Sequence, residues 1–148
     1  MLSVVVPILN EAETILGLLH QLRNASSSVQ QEVILVDGGS EDGTTVLVQN
    51  YLKNNPELDI RLLRSQRGRA RQMNLGARVA KFPILYFLHA DSTLPSAFEQ
   101  LIVSAWEAGK RAGCFRMRFD KSHPVLGFSQ WFTRFNHPMF RGEISPYL

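Results

Sequence analysis

Three short apolar runs, each closed by an acidic residue and each followed by a helix-like segment, constrain this chain more than any other feature. Ser3-Val-Val-Val-Pro-Ile-Leu-Asn-Glu11 ends in Glu11, Glu32-Val-Ile-Leu-Val-Asp37 in Asp37, and Ile84-Leu-Tyr-Phe-Leu-His-Ala-Asp91 in Asp91. Strand, loop and helix in repetition predict a mostly parallel α/β sheet flanked by helices. In such a sheet all strands point one way. Glu11, Asp37 and Asp91 are then expected along one edge, where open α/β sheets take ligands. Gathered carboxylates repel: at about 4 Å and an effective dielectric of about 20 a pair costs roughly 4 kcal/mol. A divalent cation, a sugar ring or a nucleobase edge would relieve that cost.

The helical segments carry their own signals. Asn10 is placed to cap the first helix with Glu13 three residues on, and Ile15, Leu18, Leu19 and Leu22 form its apolar stripe. A second helix is expected through Val46, Leu47, Tyr51 and Leu52, ending near Asn54-Asn55-Pro56, before a strand over Asp59–Leu63. From about Arg69 a third helix would pack Ala70, Met73, Ala77 and Ala80 on the sheet. Pro95 reads as the first position of a fourth, turning Phe98, Leu101, Ile102, Ala105 and Trp106 to the core. Ala112–Asp120 reads as a further strand, and Phe128, Trp131, Phe132 and Phe135 keep helical spacing.

At 148 residues without an internal repeat or low-complexity linker, the chain reads as a single domain over 1–148. Cys114 is its sole cysteine, which excludes an internal disulfide and agrees with a reducing compartment. Neither a leader-like start nor an apolar run near 20 residues is evident. The expected location is cytoplasmic; peripheral contact with the inner membrane face and a homo-oligomer are both compatible with the chain. The net charge of +3 is less telling than its placement. Between Ile60 and Ala90 no acid occurs, while Arg61, Arg64, Arg67, Arg69, Arg71, Arg78 and Lys81 do, a field suited to a phosphate-bearing partner. For Arg78 and Lys81 a solvated helix face is the preferred reading. No nucleic-acid-binding signature accompanies the charge, so nucleic acid is not the expected partner.

Several segments can do chemistry. In Asp37-Gly-Gly-Ser-Glu-Asp-Gly43, Gly38 lets backbone approach a ligand and Asp37 can accept from a base N–H or a ribose hydroxyl. Asp42 is read as a helix cap. Thr44 stands where a phosphate-binding P-loop requires lysine, and no G-x-G-x-x-G turn follows the first run. His89-Ala90-Asp91 offers a carboxylate suited to Mg²⁺ or Mn²⁺, with His89 able to ligate metal or bond substrate. Arg71, inside the first turn of its helix, is the favoured arginine for an anion.

Taken together, these ordered segments resemble the family 2 glycosyltransferases and their GT-A nucleotide-sugar fold. Val6-Pro-Ile-Leu-Asn-Glu11 is similar to the family's opening nucleotide-contact segment, and Val36-Asp-Gly-Gly-Ser-Glu-Asp-Gly-Thr44 to its second. Gly68-Arg-Ala-Arg-Gln-Met-Asn-Leu-Gly76 resembles its G-x-x-x-A-R-N-x-G segment, with Gln72-Met73 as a variation ahead of Asn74. Phe87-Leu-His-Ala-Asp-Ser92 occupies the place of D-x-D. His89 replaces the first acid, as in a bacterial subgroup that also carries a G-x-F-R stretch, here Gly113-Cys-Phe-Arg116. The resemblance implies a donor site of Pro7, Asn10, Glu11, Asp37, Gly38, Arg71, His89, Ala90 and Asp91, with Asp91 holding the Mg²⁺ or Mn²⁺.

By the same resemblance the activity is inverting transfer of a sugar from a nucleoside-diphosphate sugar to an acceptor of glycan, lipid or small-molecule type. The catalytic base is expected beyond Gly142, where the subgroup reads like G-D-Q-x-x-F and this chain reads Gly142-Glu-Ile-Ser-Pro-Tyr-Leu148. The expectation is therefore a GT-A domain cut short at its carboxyl end, with a single-base deletion as the favoured origin. Glu143 is a poor substitute base. The alternative is a non-catalytic nucleotide-sugar-binding or interaction module; a nucleotidyltransferase ranks below it.

Overall fold

The computed structural model describes residues 1–25 and 29–115. By contacts the chain divides into Met1–Lys110 and Arg111–Leu148. In the second unit the described residues 111–115 carry no regular structure, so the part of the expected Ala112–Asp120 strand that can be seen is not one. The expected aromatic helix and Glu143 lie outside the described residues.

The first unit alternates as expected: β1 (Leu2–Ile8), α1 (Ile15–Ala25), β2 (Gln31–Asp37), α2 (Thr44–Asn54), β3 (Ile60–Arg64), α3 (Arg69–Val79), β4 (Ile84–Phe87) and α4 (Phe98–Glu107). The strands order β3-β2-β1-β4, and every pairing is parallel. Ile8 pairs with Asp37, Asp37 with Arg64, and Val5 with Phe87. The carboxyl ends thus share one edge, and the order reverses between β1 and β4. Right-handed crossovers then put α1 and α2 on one face and α3 on the other.

β1 and β2 are central, so their apolar runs are buried on both faces; Val4, Val5, Val6, Ile34, Leu35 and Val36 are all fully covered. The stripe of α1 is as read, with Ile15, Leu18, Leu19 and Leu22 buried, each contributing roughly 2 kcal/mol. In α2 the buried residues are Thr44, Val48 and Tyr51, while Val46 is 56% exposed.

The small-residue face proposed for α3 is displaced around the helix. Ala70 is exposed; Gln72 and Gly76 are buried, and Leu75, Val79 and Ala80 pack on Val5, Ile34 and Val36. Any Cβ at Gly76 would collide with Val5 Cγ1, which fixes this face by close approach.

Two helix starts also differ from expectation. Asn10 is not a cap: its φ is 56°, and α1 begins only at Ile15, whose N–H donates to the Glu11 carbonyl. Pro95 lies ahead of α4, which begins at Phe98 after Ala97 at φ 54°. Of the apolar stripe expected in α4, Phe98 is buried, but Leu101 is 53% exposed and Ala105 is exposed. Periodicity identifies a stripe; it does not say what covers it.

Candidate functional site

At the carboxyl edge, the β1–α1 and β2–α2 loops are sewn together. Three successive backbone N–H groups of the first donate to side chains of the second: Asn10 to Ser40 Oγ at 2.9 Å, Glu11 to Thr44 Oγ1 at 2.8 Å and Ala12 to Asp42 Oδ2 at 2.9 Å. In return the Glu41 N–H donates to Asn10 Oδ1 at 2.9 Å. Asn10 tolerates the left-handed backbone this needs better than most residues. Glu11 keeps its carboxylate half-buried, accepting from the Thr14 hydroxyl at 2.8 Å.

Asp37 ends β2 almost fully buried, and its own loop satisfies it. The Gly39 N–H donates to Oδ2, and the Ser40 N–H and hydroxyl to Oδ1. This is a carboxylate-stabilised turn. Asp42 does not occupy the cap position, which is Gly43, but it does accept from the Thr44 N–H at 3.0 Å and from the Thr44 hydroxyl. The Thr44 hydroxyl and the Ala12 N–H hold its carboxyl below the usual aspartate range against a smaller opposing effect of burial.

Beneath this edge, Gln72 reaches from α3 to the strand ends. Its Nε2 donates to the Ile8 carbonyl at 2.8 Å and the Val36 carbonyl at 2.7 Å. Gly38 lies directly against it: a Cβ there would sit 3.0 Å from Gln72 Cδ, so a larger residue would have to push this amide aside. Gly38 also donates its N–H to Ile8 at 3.0 Å. Pro7, half-buried, precedes this junction.

β4 brings the His89 segment to the same edge. The Leu88 N–H continues the ladder to the Val5 carbonyl at 3.0 Å, Ala90 is buried, and His89 and Asp91 are exposed. The Ser92 N–H closes a turn on the His89 carbonyl. Among the described residues neither the Asp91 carboxylate nor the His89 ring has a hydrogen-bond or ion-pair partner. Arg71 is exposed in the first turn of α3 and donates to Gln66 Oε1 at 2.7 Å. Among the described residues no three His, Cys, Asp or Glu side chains cluster to hold a metal. Asp91 fits a hard cation only in the manner of Mg²⁺ or Mn²⁺, which use one or two carboxylates and complete their shell with phosphate and water.

The basic run is not one field. Arg61 donates to Glu32 Oε2 at 2.6 Å and to the Val79 carbonyl, and Lys81 pairs with Asp59 at 3.0 Å. Lys81 is therefore paired rather than merely solvated. Sequence reading missed Gln72, Thr44 and Glu32. Gln72 alone had a local signal, as the polar member of the i, i+3, i+4, i+7 set Gln72, Leu75, Gly76, Val79.

Known proteins supply a frame for this edge. Among the described residues no helix is long and apolar enough to cross a membrane. The chain is 32% identical over 90 residues to Glycosyltransferase AglE of Haloferax volcanii, covering 60% of this chain and 30% of that protein. It is 30% identical over 120 residues to an undecaprenyl-phosphate 4-deoxy-4-formamido-L-arabinose transferase of Aeromonas hydrophila, covering 78% and 37%. Among solved structures, the mannosyltransferase PcManGT from Pyrobaculum calidifontis, in complex with GDP-Man and Mn²⁺, superposes with a TM-score of 0.65 at 29% identity, over 72% of this chain and 32% of that one. TarS of S. aureus in complex with UDP shares the fold, with a TM-score of 0.61 at 22% identity over 72% of this chain and 32% of that one. The chain spans between 22% and 37% of the length of the curated relatives it matches. The four-stranded parallel sheet with flanking helices is GT-A-like. The family model for glycosyl transferase family 2 matches residues 3–145, nearly the whole sequence, and the chain belongs to that family.

Proposed function

We propose that the carboxyl edge binds a nucleoside-diphosphate sugar with Mg²⁺ or Mn²⁺, as the donor half of an inverting sugar transfer. The observation that carries this reading is Asp91: an exposed carboxylate without a partner among the described residues, at the end of β4, beside the reversal of strand order where open α/β sheets take ligands. The PcManGT structure, which holds GDP-Man and Mn²⁺, supports the ligand class.

The loop chemistry supports the following roles. The N–H groups of Asn10, Glu11 and Ala12 are all engaged, so this loop is no cradle for phosphate. It offers acceptors, the Glu11 carboxylate among them, which suit base N–H groups and ribose hydroxyls. Asp37, already bonded to Gly39 and Ser40, would share that role by exchanging one of those bonds for a ligand donor, and Gly38, Pro7 and Ala90 give close backbone approach. Arg71 at the amino end of α3 meets the diphosphate, where backbone N–H groups add to its charge. Asp91 would hold the cation, with His89 contacting the donor beside it; when bound, the cation neutralises the diphosphate as it leaves. The base that deprotonates the acceptor hydroxyl is, by the family resemblance, expected beyond Gly142, outside the described residues. A binding module without turnover is the alternative reading, and a turnover assay distinguishes the two.

Thermal-shift measurements with UDP-, GDP- and dTDP-sugars, with and without Mn²⁺, test the proposal. A ligand that binds the native state raises apparent stability, by about 2.7 kcal/mol at a hundred times Kd. One donor class raising Tm further with Mn²⁺ is the expected result. No shift with any donor rejects donor binding; a shift without turnover selects the binding module.

A further inference from the structure

We propose that Asp42 and Thr44 are positioning residues of the donor site, setting the backbone course of Asn10–Ala12; this deepens the donor reading above and rests on it. Sequence logic gives Asp42 to the start of α2 as a cap, a purely local duty, and gives Thr44 no role. The structure gives both a remote one. Thr44, fully buried, stands between the loops: its hydroxyl accepts from the Glu11 N–H at 2.8 Å and donates to Asp42 Oδ1. That donation fixes the hydroxyl's orientation and leaves its lone pairs for Glu11. Asp42 then uses its other oxygen for the Ala12 N–H at 2.9 Å. Two adjacent amides separated from their acceptors by 33 and 30 residues are thereby held in one geometry.

The segment so held is one that would not hold itself. Asn10 sits at φ 56°, the residues between β1 and α1 form no regular structure, and α1 begins only at Ile15. Such backbone persists when surrounding groups over-determine it. Asn10 and Glu11 are the residues assigned to the nucleoside, so a displacement of about 1 Å in their backbone moves every acceptor this loop presents. Asp42 and Thr44 need no contact with ligand to decide whether it binds.

The test is a substitution series read by affinity and by amide exchange. Thr44→Val keeps the shape and removes the hydroxyl; Thr44→Ser keeps the hydroxyl. The Kd of UDP, GDP or dTDP with Mn²⁺, whichever the wild-type protein binds, is measured well below the Tm of each variant. Hydrogen exchange is followed at Glu11, Ala12 and Gly38. Thr44→Val is expected to weaken binding at least tenfold and to speed exchange at Glu11 by at least tenfold, with Gly38, bonded to Ile8, unchanged. Thr44→Ser restores both. If Thr44→Val fails to fold, Asp42→Asn carries the same test: with one oxygen it cannot accept from both Thr44 and Ala12, and weakened binding with faster exchange at Ala12 is expected. A variant that lowers Tm yet binds with the wild-type Kd has lost stability alone, and overturns this inference while donor binding stands. Wild-type protein that binds none of the three overturns the donor reading and this inference together.

Discussion

At the amino ends of the strands, Glu32 is fully buried, and its carboxylate accepts from the Ser3 hydroxyl at 2.7 Å, the Lys81 N–H and the Arg61 guanidinium at 2.6 Å. Ser3 in turn accepts from the Phe82 N–H at 3.1 Å, and Lys81 also reaches Asp59. At the carboxyl ends, Asp91 is exposed and without a partner among the described residues. One edge consumes its charges internally and locks β1, β2, β3 and the approach to β4. The other leaves a charge available. The contrast lies between these two carboxylates rather than between all acids of the two edges, since Asp37 and Asp42 at the carboxyl ends also accept from loop N–H groups.

Removing Glu32 should break the first edge hardest. Glu32→Ala strands Arg61 and the Lys81 N–H, and stripping one side of a buried charged network costs about 3 kcal/mol or more. Urea unfolding is expected to show that loss, while the protein that remains folded binds nucleotide as wild type does. A loss of nucleotide affinity equal to that of the site variants would erase the contrast between the edges.

Acid should find the same group. Burial pushes the Glu32 carboxyl up, but the hydrogen bonds from Ser3, Lys81 and Arg61, with the Arg61 charge, outweigh it and hold the group below the ordinary glutamate value of 4.5. A pKa depressed in the folded state contributes stability that is present above the unfolded value and fades as pH falls through the folded one. Stability is expected to decline below about pH 4.5 on this account, and Glu32→Ala to flatten that decline. An equally steep acid limb in the variant assigns it to other carboxylates.

Asp91→Asn should do the opposite. With no partner to lose, the substitution leaves the urea midpoint in place, and it abolishes the Mn²⁺-dependent part of the donor-induced rise in Tm. A Mn²⁺ increment that survives removes Asp91 from the cation.

These two carboxylates also show what the sequence could and could not disclose. The strand–loop–helix rhythm and the α1 stripe were legible because they depend on local periodicity. That the strands leading to Glu11, Asp37 and Asp91 end at one edge was legible because parallel strands dictate it. Glu32 was not: its partners lie 29 and 49 residues away, and an acid at the start of a strand reads as a solvated end. The cap assigned to Asn10 failed for a related reason. Asx residues cap helices and enter left-handed turns with the same side chain, and here the Glu41 N–H, 31 residues on, decided between them. Gln72 was passed over because a buried amide is sensible only once the carbonyls of Ile8 and Val36 are seen side by side. Its place in the helical stripe marks it as inward-facing but does not disclose what it bonds.

The smallest effect sharpens the comparison on the charge side. Arg71 donates to Gln66, an uncharged and exposed partner, whereas Arg61 is committed to Glu32 and the Val79 carbonyl. Arg71 can therefore turn to a diphosphate at the loss of one neutral hydrogen bond, and Arg61 cannot do so without unpairing a buried acid. Arg71→Ala is expected to weaken nucleoside-diphosphate binding about tenfold, or about 1.4 kcal/mol, and to make binding less sensitive to salt. Nucleoside binding, which involves no phosphate, should not change. If the nucleoside weakens as much as the diphosphate, Arg71 acts on the fold of the α3 start rather than on charge, and the anion contact moves to Arg67 or Arg69.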